Sequence, residues 1–230
     1  MRIETAVAPA PSAIDPQEFI STLESSLSQG RVEEALLRVR ARWTAGQIIA
    51  LLQDKSADVR KVAALALSLV GDTGAIGPLA VALHDGDAMV AQVAEHALWS
   101  VWFRLGNPRA VCLVKCGNNH LHHGNYVCAL EKFSQAIQED PGFAEAYNQR
   151  AIAHYLSERF DESIADCQSA LALVPQHFGA MSGMGHAHAH LGNWRGARHC
   201  YRLALAIHPR LEGIETSLEQ IEQLLRESPA

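Results

Sequence analysis

The chain lacks the excess of positive charge that is typical of nucleic-acid-binding modules. Its 230 residues include 25 Asp and Glu against 19 Lys and Arg, so the formal net charge is −6. Acidic residues are in the majority on both sides of Pro108. Because binding to a phosphate backbone needs a basic face, the composition argues against nucleic acid as a partner of either half.

A long uninterrupted hydrophobic run is also missing. The most apolar stretch, residues 62–83, is broken by Gly71, Gly74 and Pro78, whereas a membrane-spanning helix needs about 20 consecutive apolar residues. The pattern therefore predicts two buried helices and no membrane partner. Residues 1–14 lack the apolar core of a secretory signal and predict a flexible N-terminal tail.

The cysteines do not form a disulfide framework. Their number is odd, and all of them lie in the second half at positions predicted to be helical: Cys112, Cys116, Cys128, Cys167 and Cys200. Unpaired cysteines are typical of a reducing compartment, so we predict a cytoplasmic protein.

The second half contains a repeat with a period of 34 residues. Pro141, Pro175 and Pro209 keep this spacing. Four further columns share it: Gly117, Ala151 and Gly185; Ala129, Ser163 and Ala197; Phe133, Cys167 and Tyr201; and Ala136, Ala170 and Ala204. Such a period predicts a stack of antiparallel helix pairs.

The residue types in these columns fit closely packed helices. Small residues in the glycine and alanine columns let the two backbones of a pair approach each other. Tyr126, Phe160 and Trp194 open the second helix of each pair, and the prolines end it. The pattern resembles the tetratricopeptide repeat (TPR) family, which implies an all-α solenoid. The three implied repeats span residues 110–143, 144–177 and 178–211.

The second repeat departs from the family pattern more than its neighbours do. Ser163 and Cys167 replace the usual alanine and aromatic residue, and Glu158 replaces the usual turn glycine. The usual leucine column holds Cys116, Arg150 and Met184. These departures weaken the match of the second repeat to the family pattern, but the repeat remains recognisable.

Residues 212–230 predict a closing helix and a short tail. Ile214, Leu218, Ile221 and Leu225 form one apolar stripe, with charged residues between them. An open repeat array needs such a helix to cover its last apolar surface.

The first half shows a shorter self-similarity. The segment that begins at Leu52 matches the one that begins at Leu83, an offset of 31 residues. This pattern resembles short bacterial HEAT-type repeats over residues 44–108, and residues 15–43 predict a further helical pair of unassigned type. The connection at residues 106–108 is too short for a flexible linker, so we expect the two halves to be docked.

Three large apolar residues, Trp99, Trp102 and Phe103, lie near the end of the first half. We expect them to form the junction with the first TPR. The alternative is an exposed binding patch.

The resemblance implies a concave groove lined by the first helix of each repeat. The implied groove residues are Asn118, Leu121 and His122 in the first repeat, Asn148, Gln149, Ile152 and Tyr155 in the second, and Ser182, His186 and His190 in the third. Helical spacing independently places the last three on one stripe. We expect a protein or peptide partner to lie there as an extended segment or a helix, the alternative being an inert surface.

One TPR subclass grips the C-terminal carboxylates of heat-shock chaperones with Lys, Asn, Asn, Lys and Arg. Asn118 matches one asparagine and Gln149 loosely matches the other. The three cationic positions correspond to Val114, Gly179 and Gly183, which cannot make charge-assisted hydrogen bonds of roughly 1.5–3 kcal/mol each. The sequence therefore predicts that a chaperone tail is not the partner.

No cluster of residues predicts catalysis or a metal site. Cys112, Cys116 and His120 lie four apart on one helix face, but Cys116 and His120 occupy packing columns of the repeat, and a structural zinc site needs four ligands. Cysteine–histidine pairs on one helix also lack the orienting group and oxyanion donors of a hydrolase. We therefore expect no cofactor.

These patterns together predict a non-enzymatic interaction or scaffold protein. Two alternatives stay open. Short HEAT-type repeats also occur in bilin lyases, which would imply a lyase or another assembly-factor activity. Self-assembly through the ends of the repeat array is the other.

Overall fold

The computed structural model describes residues 14–27 and 29–227, and the described chain is helical with no strand. The prediction of an all-α solenoid is confirmed. Apart from Ile14, the predicted N-terminal tail lies outside the described residues, as do residues 228–230. The helices of the first half are α1 (Pro16–Leu27), α2 (Val32–Arg42), α3 (Ala45–Ala50), α4 (Ala57–Val70), α5 (Thr73–Ala82) and α6 (Ala88–Leu105), and those of the second half are α7 (Pro108–His122), α8 (Tyr126–Glu139), α9 (Ala144–Leu156), α10 (Phe160–Leu173), α11 (Phe178–His190), α12 (Trp194–Ile207) and α13 (Ile214–Glu227).

Local sequence signals set the helix boundaries in the second half. The helices α8, α10 and α12 begin at the predicted aromatic residues and end two residues before the repeat prolines, because the residue before a proline disfavours helical geometry. At the start of α7, Asn107 Oδ1 accepts the backbone N–H of Ala110 at 2.8 Å, and Pro108 takes the first helical position.

Close packing of a ring on a glycine joins the helices of the first and third repeats. A Cβ atom at Gly117 would lie 2.4 Å from Cε1 of Phe133, and one at Gly185 would lie 2.5 Å from Cε1 of Tyr201. No side chain larger than hydrogen fits at either glycine without moving the ring. In the second repeat the corresponding pair is Ala151 and Cys167, both buried.

Ion pairs and main-chain contacts join the helices of the first half. Arg60 at the start of α4 donates to both carboxylate oxygens of Asp85, at 2.7 and 2.8 Å. Arg104 at the end of α6 donates to the carbonyl oxygen of Ser68 at 2.7 Å and also to that of Gly71. These contacts tie the ends of α4 and α6 together. The HEAT-type assignment of residues 44–108 stays a prediction.

The first half packs along one edge of the repeat stack, where each second helix ends and the next first helix begins. Apolar residues from this edge join the core of the first half: Ala144, Val174, Phe178, Ile207 and Leu211. At the far end of this edge, Arg210 donates to the carbonyl oxygens of Leu83 (3.1 Å) and Asp85 (2.8 Å).

The three large residues near the end of α6 divide between two repeats. Phe103 packs with the core of the first repeat. Trp102 is 1% exposed and stacks on His177, with ring centroids 4.1 Å apart, and Trp99 meets Phe178 edge-on. The two tryptophans therefore contact the start of α11, beyond the expected junction with the first repeat.

The last helix, α13, packs on α12. Ile214 and Ile221 are buried, with Leu218 and Leu225 packed against them. Within residues 14–27 and 29–227, no helix has the length and apolar character needed to cross a membrane.

Candidate functional site

Seven of the predicted groove residues lie on α9 and α11 and three lie on α7. The residues on α9 are Asn148, Gln149, Ile152 and Tyr155, those on α11 are Ser182, His186 and His190, and those on α7 are Asn118, Leu121 and His122. The structure brings only some of these side chains together, around two adjoining cavities.

The first cavity lies between α9, α10 and α11 and has a volume of about 120 Å³. Four predicted residues line it: Asn148, Ile152, Tyr155 and His186. Of the other lining residues, Gly183 was expected at a groove position, whereas Ala151, Ser163 and Cys167 were not. At Ser163 and Cys167, the departure from the usual repeat pattern was the signal that could have identified them.

The second cavity, of about 300 Å³, extends from the first toward the closing helix α13. Tyr155 and His186 line both cavities. The ring of His190 stacks on Phe160, with centroids 4.8 Å apart, and meets Tyr155 edge-on at 5.2 Å. His186 Nδ1 lies 2.8 Å from the hydroxyl of Tyr201. The two cavities therefore adjoin at Tyr155 and His186 and have aromatic and imidazole walls.

Five predicted groove residues do not line either cavity. Leu121 packs with the core of the first repeat, and His122 is exposed. Gln149 donates its amide to Glu145 at 2.6 Å, and the hydroxyl of Ser182 donates to the carbonyl of Gly179 at 3.0 Å.

The fifth residue, Asn118, is half-buried on α7. Its Oδ1 atom is buried and has no hydrogen-bond partner within the described part of the chain.

A buried polar pair links α9 to α11. The side chains of Glu145 and His177 are both fully buried, and Nε2 of His177 lies 3.0 Å from a carboxylate oxygen of Glu145. Nδ1 of the same ring accepts the backbone N–H of Ala180 at 3.1 Å, so the ring proton is on Nε2 and is donated to Glu145. Because Trp102 stacks on this ring, the first half of the chain fixes the start of α11.

An ion pair joins α9 to α10 on the other side of the repeat. Arg150 donates to both carboxylate oxygens of Asp166, each at 2.7 Å, and also to the hydroxyl of Ser134 at 3.1 Å. The hydrogen bond to Asp166 raises the pKa of Arg150 above its ordinary value. A planar guanidinium paired in this bidentate way holds two helices at a fixed distance.

The first cavity is uncharged at neutral pH. Burial raises the pKa of Cys167 to about 12, so its thiol stays protonated. Burial, with a smaller contribution from the nearby His190, lowers the pKa of His186 below its ordinary value. The ring of His186 is therefore neutral at pH 7.

The three positions that hold cations in the chaperone-binding subclass have distinct roles here. Val114 is fully buried in the core of the first repeat. A Cβ atom at Gly179 would lie 2.6 Å from the ring of Trp99, which occupies that space. Gly183 lines the first cavity, and a Cβ atom there would meet only the sulfur of Cys167, at 3.7 Å.

The histidine- and cysteine-containing segments do not come together as a metal site. Among the residues that the structure describes, no group of three His, Cys, Asp or Glu side chains could hold a metal ion.

Comparison with known proteins identifies the repeats. Models of the tetratricopeptide repeat match residues 144–177 and 178–216. Tetratricopeptide repeat protein 12 of Homo sapiens is 30% identical over 129 residues, and the Hsp70-Hsp90 organizing protein of Triticum aestivum is 28% identical over 113 residues. The matches cover 56% and 49% of this chain but only 18% and 19% of those relatives.

A solved structure gives the same result for the fold. The first TPR domain of Spaghetti (RPAP3), bound to the HSP90 peptide SRMEEVD, superimposes with a TM-score of 0.51 and 26% sequence identity. The match covers 51% of this chain and 94% of that domain.

The prediction that excluded a heat-shock chaperone tail as partner is wrong. It is contradicted by the similarity to a domain that holds an HSP90 peptide and to an Hsp70-Hsp90 organizing protein. The prediction considered only the charge-assisted hydrogen bonds that Val114, Gly179 and Gly183 cannot make. The peptide SRMEEVD also carries a methionine and a valine, and complete burial of such a side chain contributes about 1.5–3 kcal/mol.

The repeat phasing, the ring-on-glycine packing and these matches all agree. The chain contains tetratricopeptide repeats, at residues 144–177 and 178–216.

Proposed function

We propose that this protein is a non-enzymatic interaction module that holds an extended peptide of the chaperone-tail type in its concave groove. The observation that carries the proposal is the pair of adjoining cavities, which the first helices of the second and third repeats line. The first of these cavities is uncharged at neutral pH. A scaffold role is supported by the TPR relatives, whose names describe repeats and chaperone organisation.

The two cavities favour a particular way of holding such a peptide. Without cations at Val114, Gly179 and Gly183, the peptide carboxylates stay at the solvated rim, where they keep their hydration. Apolar side chains of the peptide enter the cavities and supply most of the binding free energy. The complex should therefore depend only weakly on salt.

The proposal is tested by titrating the full chain into fluorescein-labelled SRMEEVD and measuring fluorescence anisotropy. We expect saturable binding with a dissociation constant of roughly 100 µM, since the charge-assisted contacts are missing. Raising the salt from ~50 to ~500 mM should change the affinity less than about twofold. A complete lack of saturation at ~1 mM protein would reject a chaperone tail as the ligand.

The position of the peptide is tested with the double variant Asn118→Ala with His186→Ala. This variant should bind at least about tenfold more weakly while its helical circular dichroism is retained. The matched control is Asn119→Ala with His199→Ala, which changes the same residue types at exposed positions outside both cavities. Equal binding by the two double variants would rule out the groove.

A further inference from the structure

The second repeat lacks the aromatic ring that closes the other two. In the first and third repeats the rings of Phe133 and Tyr201 fill the space between the helices of the pair and press on glycines. At the equivalent place in the second repeat stands Cys167, whose side chain ends at the sulfur. The first cavity lies at this place, and both Cys167 and Ala151 line it.

A second small residue opens this space to the groove. Gly183 on α11 faces Cys167, and a Cβ atom at Gly183 would touch nothing nearer than the sulfur at 3.7 Å. Any larger side chain at residue 183 would extend from that Cβ into the opening. The cavity therefore depends on two small residues, one on α10 and one on α11.

The chemistry of the walls selects what can enter. None of the lining side chains is charged at neutral pH, because the pKa of the Cys167 thiol is raised to about 12 and that of His186 is lowered. The amide of Asn148 faces Glu145, with nitrogen–oxygen distances of 3.4 and 3.5 Å. A charged side chain of a ligand would have no countercharge in this space, so its burial would be strongly unfavourable.

The size of the cavity fits one large apolar side chain. Its volume is about 120 Å³. An engineered apolar cavity of roughly 150 Å³ in another protein holds a benzene molecule. The space here is somewhat smaller, so it suits the slimmer side chain of methionine or leucine and leaves a valine or alanine loosely packed.

We propose that the cavity between Cys167 and Gly183 is a specificity pocket that takes one large apolar side chain of the bound peptide. Gly183 is the residue that determines this specificity, because a large side chain there would occupy the opening. The inference rests on the proposed peptide-binding function and continues the same groove. In SRMEEVD the side chain of matching size is the methionine.

The first experiment compares three labelled peptides, SRMEEVD, SRAEEVD and SRMEEAD, by anisotropy with the full chain. We expect the native chain to prefer SRMEEVD over SRAEEVD by about tenfold, because the methionine side chain is lost from an apolar pocket. The valine-to-alanine peptide should differ from SRMEEVD by less than about threefold. A chain that binds SRMEEVD and SRAEEVD equally would overturn the pocket and leave the proposed function intact.

The same peptides are then measured with the pocket-filling variant Gly183→Leu. Its preference for methionine over alanine should fall to about twofold or less, because leucine occupies the space. The matched control is Gly77→Leu on α5, where a Cβ atom has nothing within 4 Å and which lines neither cavity. This control should keep the full preference. A Gly183→Leu variant that also kept it would overturn the assignment.

A second measurement tests the pocket without any peptide. Ethyl methyl sulfide, the free side chain of methionine, is titrated into the isotope-labelled chain, and amide chemical shifts are recorded. We expect the largest shifts at Ala151, Ile152 and Gly183, and their loss in Gly183→Leu. If no peptide binds, the chaperone-tail function fails, and this titration alone decides the pocket. Shifts that are absent, or that survive in Gly183→Leu, would overturn it.

Discussion

The second repeat and its two neighbours share a backbone arrangement but are held together by different chemistry. In the first and third repeats a ring packs directly on a glycine, so the space between the helices is closed. In the second repeat an ion pair between Arg150 and Asp166 spans the helices, and the ring is missing. An ion pair fixes the distance between two helices without filling the volume between them. A repeat can therefore keep its geometry and still contain a cavity.

The turns between the paired helices differ in the same way. Gly124 and Gly192 adopt positive φ values of 73° and 71° in the first and third repeats, and Glu158 adopts 58° in the second. A residue with a side chain is strained in this region by about 1–2 kcal/mol. The second repeat thus combines an open interior with a strained turn.

The largest expected difference between the repeats concerns the ring column. Phe133→Ala should lower the free energy of unfolding by about 3–5 kcal/mol, because it removes a fully buried ring. Cys167→Ala should cost about 1 kcal/mol or less, since the surrounding space is already open. Urea unfolding followed by circular dichroism measures both. Equal losses would show that the second repeat is packed as tightly as the first.

The next effect concerns the ion pair. Asp166→Ala should destabilise by about 2–3 kcal/mol, because it leaves Arg150, whose side chain is 24% exposed, without its partner. Combining it with Arg150→Met, the residue type that the third repeat has in this column, should recover most of the loss. Breaking the exposed pair with Arg202→Ala should cost no more than about 1 kcal/mol. If the double variant is no more stable than Asp166→Ala alone, the penalty does not come from an unpaired charge.

A smaller effect is expected at the turn. Glu158→Gly should raise the free energy of unfolding by about 1 kcal/mol, because glycine adopts a positive φ without strain. Gly124→Ala, at a turn where a Cβ atom has open space, should lose a similar amount. Thermal unfolding of the two variants checks both signs. A destabilised Glu158→Gly protein would mean that the side chain of Glu158 contributes more than its backbone strain costs.

The smallest effect is a pH dependence that arises in the second and third repeats. Burial makes the largest contribution to lowering the pKa of His154, His186 and His188 below the ordinary value of 6.5. The unfolded chain therefore takes up protons first, and stability is lost as the pH falls below about 6.5 toward the folded-state pKa values. Three groups face His186: the exposed His190 and the hydroxyls of Tyr155 and Tyr201. Burial raises the pKa of both tyrosines, so the two hydroxyls stay neutral in this pH range.

The pH dependence is measured as the melting temperature at pH 7.5 and pH 5.5. His186→Gln should show a smaller decrease than the native chain, while His122→Gln, at an exposed position, should match the native chain. Identical decreases in all three proteins would remove His186 as a source of the effect.

Much of the fold could be predicted because the determining signals are local and periodic. Tyr126, Phe160 and Trp194 start α8, α10 and α12 as their spacing predicts, and the prolines end the same helices. The small residues at 117 and 185 correctly indicate close packing, since the rings of Phe133 and Tyr201 lie against them.

The parts that could not be predicted depend on contacts between residues far apart in the chain. Trp99 fills the space beside Gly179, 80 residues away, and only the docking of the two halves brings them together. The pocket likewise needs Cys167 and Gly183 to face each other across two helices. Each departure from the repeat pattern is visible in the sequence, but the space that they create together is visible only in the structure.

The main-chain contacts of Arg210 with Leu83 and Asp85 have a mechanical consequence. A free array of helix pairs behaves like a spring, because small rotations between neighbours add up and change its curvature. Here the first half packs along the edge of the array, from α7 to the segment before α13, and stiffens it. The curvature of the array cannot change without breaking these contacts. The proposed groove is therefore held at one width, and the proposed peptide binding would cost less conformational entropy.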